Sequence, residues 1–209
     1  KPGADILLGE DEVDTELIAR SRVFHFGSLS LTDEPARTAT ISAARYAKEH
    51  GVTVSYDPNW RPPLWPDTET AKRWMLEGLA YAGLVKLSRE ELALLTGFED
   101  LAQGSAALCQ KGADFVAVTL GPAGCFYRRG ELTGLVPTYD VKVLDTTGAG
   151  DAFWGAALSR MTKPGFDIKR ADKAALDEVV SFANAAGAFC ASGYGAISSL
   201  AGEADIRRV

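Results

Sequence analysis

Short apolar runs alternating with amphipathic helical segments constrain this chain more than any other feature. Arg22-Val23-Phe24-His25-Phe26-Gly27-Ser28 reads as a buried strand ending in a turn. The spacing of Ala36, Ala39, Ala43, Ala44 and Ala47 then predicts a helix over Pro35–His50, closed by Gly51. Val52–Tyr56 is the next strand. Pro62, Pro63 and Pro66 make a rigid loop around Leu64-Trp65, followed by a helix over Thr68–Tyr81 and a short strand at Leu84–Leu87. Ser88 opens another helix with a capping box to Glu91. A helix over Leu101–Lys111 leads to the apolar strand Phe115–Leu120, and Cys125–Arg128 returns as a hairpin strand. Strand character continues over Leu132–Pro137 and Val141–Leu144. One helix follows Asp151, and a long alanine-rich helix covers Lys173–Ser192. Ahead of all this, Lys1–Ser21 is acidic and irregular apart from a short helix around Thr15–Arg20. Strands separated by amphipathic helices imply right-handed βαβ units and a mainly parallel sheet covered on both faces. With 209 residues and no linker, repeat or low-complexity tract, a single domain over residues 1–209 is the economical expectation.

Composition excludes some partners. The net charge is -6, so a nucleic acid or an anionic membrane gets no support from bulk electrostatics. Any phosphate held here is held locally, by backbone dipoles and a few cations. No apolar stretch is long enough to span a membrane and no signal peptide is recognisable, which sets a cytoplasmic expectation. Cys109, Cys125 and Cys190 are odd in number and lack metal-ligand spacing, so reduced thiols in or near the core are expected. His25 falls within a strand pattern and reads as a core histidine rather than a ligand or base. The chain begins at Lys1 without a methionine, as expected of an incomplete or processed start.

The most chemically pointed stretch is Asp145-Thr146-Thr147-Gly148-Ala149-Gly150-Asp151, running into the apolar helix that starts with Ala152-Phe153-Trp154. A Gly-Ala-Gly turn opening a helix presents backbone N–H groups at the positive end of the helix dipole, which suits an anion. Asp151 would sit beside that anion, a poor electrostatic choice unless it accepts a proton from an attacking group. Taken alone, the same turn is also an ordinary helix start with glycines for close packing. Asp57-Pro58-Asn59 with Arg61, beyond a strand tip, is equally balanced between a polar binding edge and plain turn chemistry. Capping accounts for Ser88, and Lys86 just before it could supply charge to a phosphate.

Five motifs in order carry a resemblance. The Asp145–Asp151 string and its small apolar helix, Asp57-Pro58-Asn59 with Arg61 and Leu64-Trp65, Lys86-Leu87-Ser88-Arg89-Glu90-Glu91, Thr119-Leu120-Gly121-Pro122-Ala123-Gly124, and Asn184 with Gly187 together resemble the ribokinase-like (PfkB) carbohydrate kinases, closest to the fructokinases among them. The resemblance implies a three-layer α/β/α fold and ATP-dependent phosphorylation of a sugar hydroxyl, with fructose as the expected acceptor. It implies that Asp151 is the base and that the N–H groups of Gly148, Ala149 and Gly150 form the anion hole. Lys86, Thr119, Gly121, Gly124, Asn184 and Gly187 correspond to nucleotide-binding positions. Asp57, Asn59 and Arg61, with Asp151, correspond to the substrate side. Glu91 matches an acidic position tied to Mg2+ through water, and Asp145, the Thr147 carbonyl and Ser199 match a monovalent-cation site, with K+ the expected ion. The family usually has Asn where this chain has Ser88.

One departure stands out. Family members carry an N-terminal Gly-Gly and Asn signature, the first strands of the sheet and a small β-lid, none of which is found in this sequence. The chain is therefore expected to be the C-terminal two-thirds of such a kinase, and any homodimer through the missing lid would need the remainder. The Arg61 and Leu64-Trp65 pattern also resembles 2-keto-3-deoxygluconate kinases, in which an arginine can meet a substrate carboxylate. A non-catalytic sugar- or nucleotide-sensing relative is the alternative from another class. A Rossmann dinucleotide module lacks its glycine fingerprint here, and there is no Walker A sequence.

Overall fold

The computed structural model describes residues 3–208, so Lys1 and Pro2 of the expected irregular segment lie outside the described residues. The chain divides into two compact units, Lys1–Val116 and Ala117–Val209. Among the described residues, six strands follow one another in the sheet in chain order. Among the described residues, no helix is long and apolar enough to cross a membrane.

The first unit opens with two single 3-10 turns, Ala4–Leu7 and Glu10–Glu12, and then α1 (Thr15–Arg20), which Asp14 caps by accepting the Leu17 N–H at 2.8 Å. β1 (Val23–Gly27) leads through a 3-10 turn into α2 (Ala36–Glu49), whose buried face is the alanine series read from the sequence. β2 (Thr53–Asp57) returns parallel to β1, in register from Val23 opposite Thr53 to Gly27 opposite Asp57. α3 (Thr68–Leu79) is capped by Asp67, and β3 (Leu84–Ser88) pairs parallel with β2 through Ser55 opposite Leu84 and Tyr56 opposite Val85. The predicted capping box forms at α4 (Arg89–Thr96), which ends on Gly97 at φ 78°, a left-handed conformation that glycine adopts without steric cost. α5 (Leu101–Gln110) follows, capped by Asp100.

β4 (Phe115–Thr119) begins in the first unit and ends in the second. In the second unit, β5 (Cys125–Arg129) and β6 (Leu132–Val136) form an antiparallel hairpin from Cys125 opposite Val136 to Arg129 opposite Leu132. α6 (Ala149–Met161) and α7 (Lys173–Ala191) pack along each other, with α7 also against β6, and a short α8 (Glu203–Ile206) closes the chain. Tyr127 of β5 reaches α7, its hydroxyl donating to Asp177 Oδ1 at 2.6 Å; burial and that carboxylate push the phenol far above its ordinary range.

Two expectations fail. Val141–Leu144 is not a strand, because the Leu144 and Asp145 N–H groups both turn to the Ala191 carbonyl at the end of α7, at 2.8 and 3.3 Å. A helix terminus with unpaired carbonyls supplies the acceptor that a neighbouring strand would have supplied. His25 is exposed rather than part of the core, with Nδ1 3.0 Å from Ser55 Oγ. β1 ends the strand order, so its faces are covered less than those of β3 and β4, where four of the five residues are buried in each. The cysteines are free thiols, Cys125 and Cys190 buried and Cys109 half-buried.

Candidate active site

The stretch from Asp145 to Asp151 folds as a loop closed onto itself and a helix start. Asp145 Oδ1 accepts the Thr147 N–H at 2.9 Å and the Thr147 hydroxyl at 2.6 Å, while Oδ2 accepts the Gly195 N–H at 3.0 Å. Led by the Thr147 hydroxyl, with the two N–H groups behind it, these bonds hold the Asp145 carboxyl below its usual range. Gly148 stands at the N-cap of α6 with φ 80°, and a Cβ there would come within 2.6 Å of the Ala196 methyl. Both the backbone angle and the space demand glycine. The Ala149 N–H turns back to Thr146 O at 3.1 Å, and the helical ladder starts only with Ala152 N–H to Gly148 O at 2.8 Å. The Gly150 and Asp151 N–H groups precede that ladder, at the positive end of a 13-residue helix. The Asp151 side chain is exposed in the same first turn. Beneath the turn, Cys190 is buried with its thiol 3.7 Å from Thr147 O; burial, then Asp145 and Asp151, push its pKa up. Ser199 is buried in the loop that also carries Gly195, its hydroxyl donating to Tyr194 O at 3.1 Å.

A cavity of about 430 Å³ opens beside this turn. Thr119, Gly121 and Gly124 line it from the end of β4, Ala149, Gly150 and Phe153 from α6, and Asn184 and Gly187 from α7. Gly121 and Gly124 have φ 57° and 91°. A Cβ on Gly124 would run into Val136 O and lie 2.8 Å from Pro137 Cα, so the loop can close on the chain leaving β6 only with glycine there. Gly187 lets α7 approach the first turn of α6, since a Cβ on it would sit 3.1 Å from Ala149 O. Five of the six residues assigned to the nucleotide from sequence therefore line one cavity, and the Asp145–Asp151 loop borders it. Sequence reasoning missed the remaining wall: Thr138, Tyr139, Asp140 and Val141, a strap without regular structure. The sequence signal for it is Pro137, which follows β6 and cannot donate to a ladder.

The other candidates belong to the first unit. Lys86 in the middle of β3 and Asp57 at the end of β2 form a buried ion pair at 2.7 Å. The Lys86 charge is thus balanced within the fold. Glu91 is also buried, and its two oxygens accept the Trp60 N–H at 2.6 Å and the Ser88 N–H at 2.7 Å. It ties the loop after β2 to the start of α4. Burial, followed by Glu91 and Asp57, drives the Tyr56 phenol well above its usual pKa. Asn59 has φ 50°, which a short polar side chain tolerates. Arg61 is exposed, with Nη1 donating to Trp60 O at 3.1 Å. Among the described residues, no group of three His, Cys, Asp or Glu side chains could hold a metal ion.

The family model described as "pfkB family carbohydrate kinase" matches residues 3–202. Fructokinase-1 of Zea mays is 44% identical over 206 residues, covering 98% of this chain and 63% of that relative. Fructokinase from Xylella fastidiosa, solved with bound ATP, superposes with a TM-score of 0.89 at 30% identity, over 99% of this chain and 66% of that one. Fructokinase from Vibrio cholerae O395, in a form with bound fructose, ADP and calcium ion, gives 0.89 at 31% identity, over 100% of this chain and 66% of that one. The chain thus spans less than two thirds of the length of these relatives.

Proposed function

We propose that this chain, which belongs to the pfkB family of carbohydrate kinases, forms the nucleotide-binding and phosphoryl-transfer part of an ATP-dependent kinase acting on a sugar hydroxyl, with fructose as the acceptor. The observation that carries the reading is the helix start at Gly148–Asp151.

The residues present fit a nucleoside triphosphate. Gly121 and Gly124 carry no side chain where the β4–β5 loop lines the cavity, so backbone there can approach phosphate oxygens closely. Phe153, Ala188 and Ala191 give the cavity apolar wall for a base and ribose. ATP supplies the phosphoryl group and ADP leaves with the electron pair of the broken P–O bond. Asp151 takes the acceptor hydroxyl's proton as the new O–P bond forms, and the N–H groups of Gly148 and Gly150 stabilise charge on the transferring phosphoryl oxygens; the Ala149 N–H, expected in the same hole, is instead donated to Thr146 O at 3.1 Å. Losing one such donor typically costs about 3 kcal/mol of transition-state stabilisation. Asp145 fixes the turn through Thr147 and Gly195, and with the Thr147 carbonyl and Ser199 it is the place for a monovalent cation, K+ in our reading. A divalent ion, Mg2+ in our reading, would rely mainly on nucleotide phosphates, because the oxygens of Glu91 already accept two backbone N–H groups.

Release of ADP in the presence of ATP, Mg2+ and fructose is the direct test, with 2-keto-3-deoxygluconate as the competing acceptor. The exposed Arg61 is what keeps the keto acid in the comparison. Asp151→Asn should lower turnover by about 10²–10⁴-fold while leaving ATP binding intact. Unchanged turnover in that variant would defeat the mechanism, and no ADP release with either acceptor, assayed in a protein that spans the full length of the relatives, would defeat the kinase reading.

A further inference from the structure

The strap from Val136 to Val141 is held to α7 at two places one helical turn apart. Asn184 is buried, and its side-chain nitrogen donates to Val136 O at 3.0 Å and to Pro137 O at 3.1 Å. The Tyr139 hydroxyl lies 3.0 Å from Ser181 Oγ. Ser181 and Asn184 are three residues apart on α7 and so lie on one face. Gly124 packs on the same stretch, with no room for a Cβ against Val136 O and Pro137. An amide side chain has two N–H donors, and two strap carbonyls meet them here. The Asn184 side chain therefore has no donor left for a bound base.

The geometry points to Asn184 as a positioning residue: it acts on the nucleotide through the strap, fixing Thr138–Val141 as one wall of the cavity in concert with the Tyr139–Ser181 contact. This rests on the nucleotide reading of that cavity, while the strap geometry stands independently of it. Two consequences distinguish it from direct recognition of the base by Asn184. The strap must be ordered before any nucleotide arrives, and its loosening must weaken binding of different purine nucleotides alike, because the lost element is a wall and not a base-specific bond.

The test uses Asn184→Ala and Tyr139→Phe in the whole chain. Backbone ¹⁵N order parameters of Thr138–Val141, measured without nucleotide, should fall from rigid values near ~0.85 towards ~0.6 in Asn184→Ala, with a smaller fall in Tyr139→Phe. Calorimetric dissociation constants for ATP and for GTP should each rise roughly tenfold in Asn184→Ala, leaving their ratio within about twofold of the unmodified chain. The two substitutions combined should cost less than the sum of their separate effects, as expected of groups holding one element. An unchanged strap in both variants overturns the proposal. So does a shift in the ATP-to-GTP ratio with the strap still rigid, which would assign Asn184 to the base. If the unmodified chain binds neither nucleotide, the kinase reading falls, while the order parameters still decide whether Asn184 holds the strap.

Discussion

Asp145 Oδ2 accepts the Gly195 N–H at 3.0 Å, across 50 residues of sequence, and so clamps the loop that precedes α6 to the loop that follows α7. Its other oxygen organises Thr147 within the first loop. One carboxylate therefore fixes both approaches to the turn at Gly148.

That clamp should titrate. Because hydrogen bonds hold the folded carboxyl below its unfolded pKa, they add stability that is fully present above the ordinary carboxylate range and is lost as pH falls through the depressed folded value. Asp145→Asn should be less stable than the unmodified chain at pH 7, and the gap should close on acidification below about pH 4. Thermal melts across pH 2–7 check this; a gap independent of pH would mean that the charge of Asp145 contributes nothing.

Gly124→Ala should damage the cavity without touching any catalytic group. The residue is held at φ 91°, and a methyl there collides with Val136 O. The backbone strain alone is worth about 1–3 kcal/mol. We expect a melting point lower by several degrees together with weaker ATP binding. Gly51→Ala, at φ 72° with open space around it, should show the strain without the loss of binding.

The Lys86–Asp57 pair is buried on both sides, with side-chain exposures of 9% and 5%. Lys86→Met removes the cation from beside the buried Asp57 carboxylate and should cost about 3–5 kcal/mol by urea denaturation. Lys86→Met combined with Asp57→Asn should recover part of that loss. If Lys86→Met were as stable as the unmodified chain and lost only nucleotide affinity, Lys86 would be a phosphate ligand instead of a structural charge.

Glu91→Gln removes one acceptor from a group that serves two backbone N–H donors. We expect about 1–3 kcal/mol of destabilisation in the absence of any metal, since one donor is left facing an amide NH₂. A variant of unchanged stability whose only defect is its Mg2+ requirement would return Glu91 to the metal.

Much of the first unit is legible in local chemistry. Asp14, Asp67, Ser88 and Asp100 each cap the helix they precede, and the alanines of α2 face inwards as their spacing demands. The candidate site is legible as far as its glycines and its loop, because a left-handed turn or a close approach restricts the residue type at that very position. Thr138–Val141 left no such mark: the strap is held by Asn184 and Ser181, more than 40 residues away, and no local pattern shows that the Tyr139 hydroxyl meets one of them.

The βαβ order, the Ser88 cap, the fold family and the turn at Gly148–Asp151 follow from neighbours within a few residues or from motif order. Long-range packing instead sets that Lys86 pairs with Asp57, that Val141–Leu144 turns to the end of α7 instead of forming a strand, that His25 is exposed, and that Asn184 spends its donors on Val136 and Pro137. Each of these outcomes depends on which buried donor or charge finds a partner, or which face is covered. Distant parts of the chain settle that, and their meeting is not written in any local pattern.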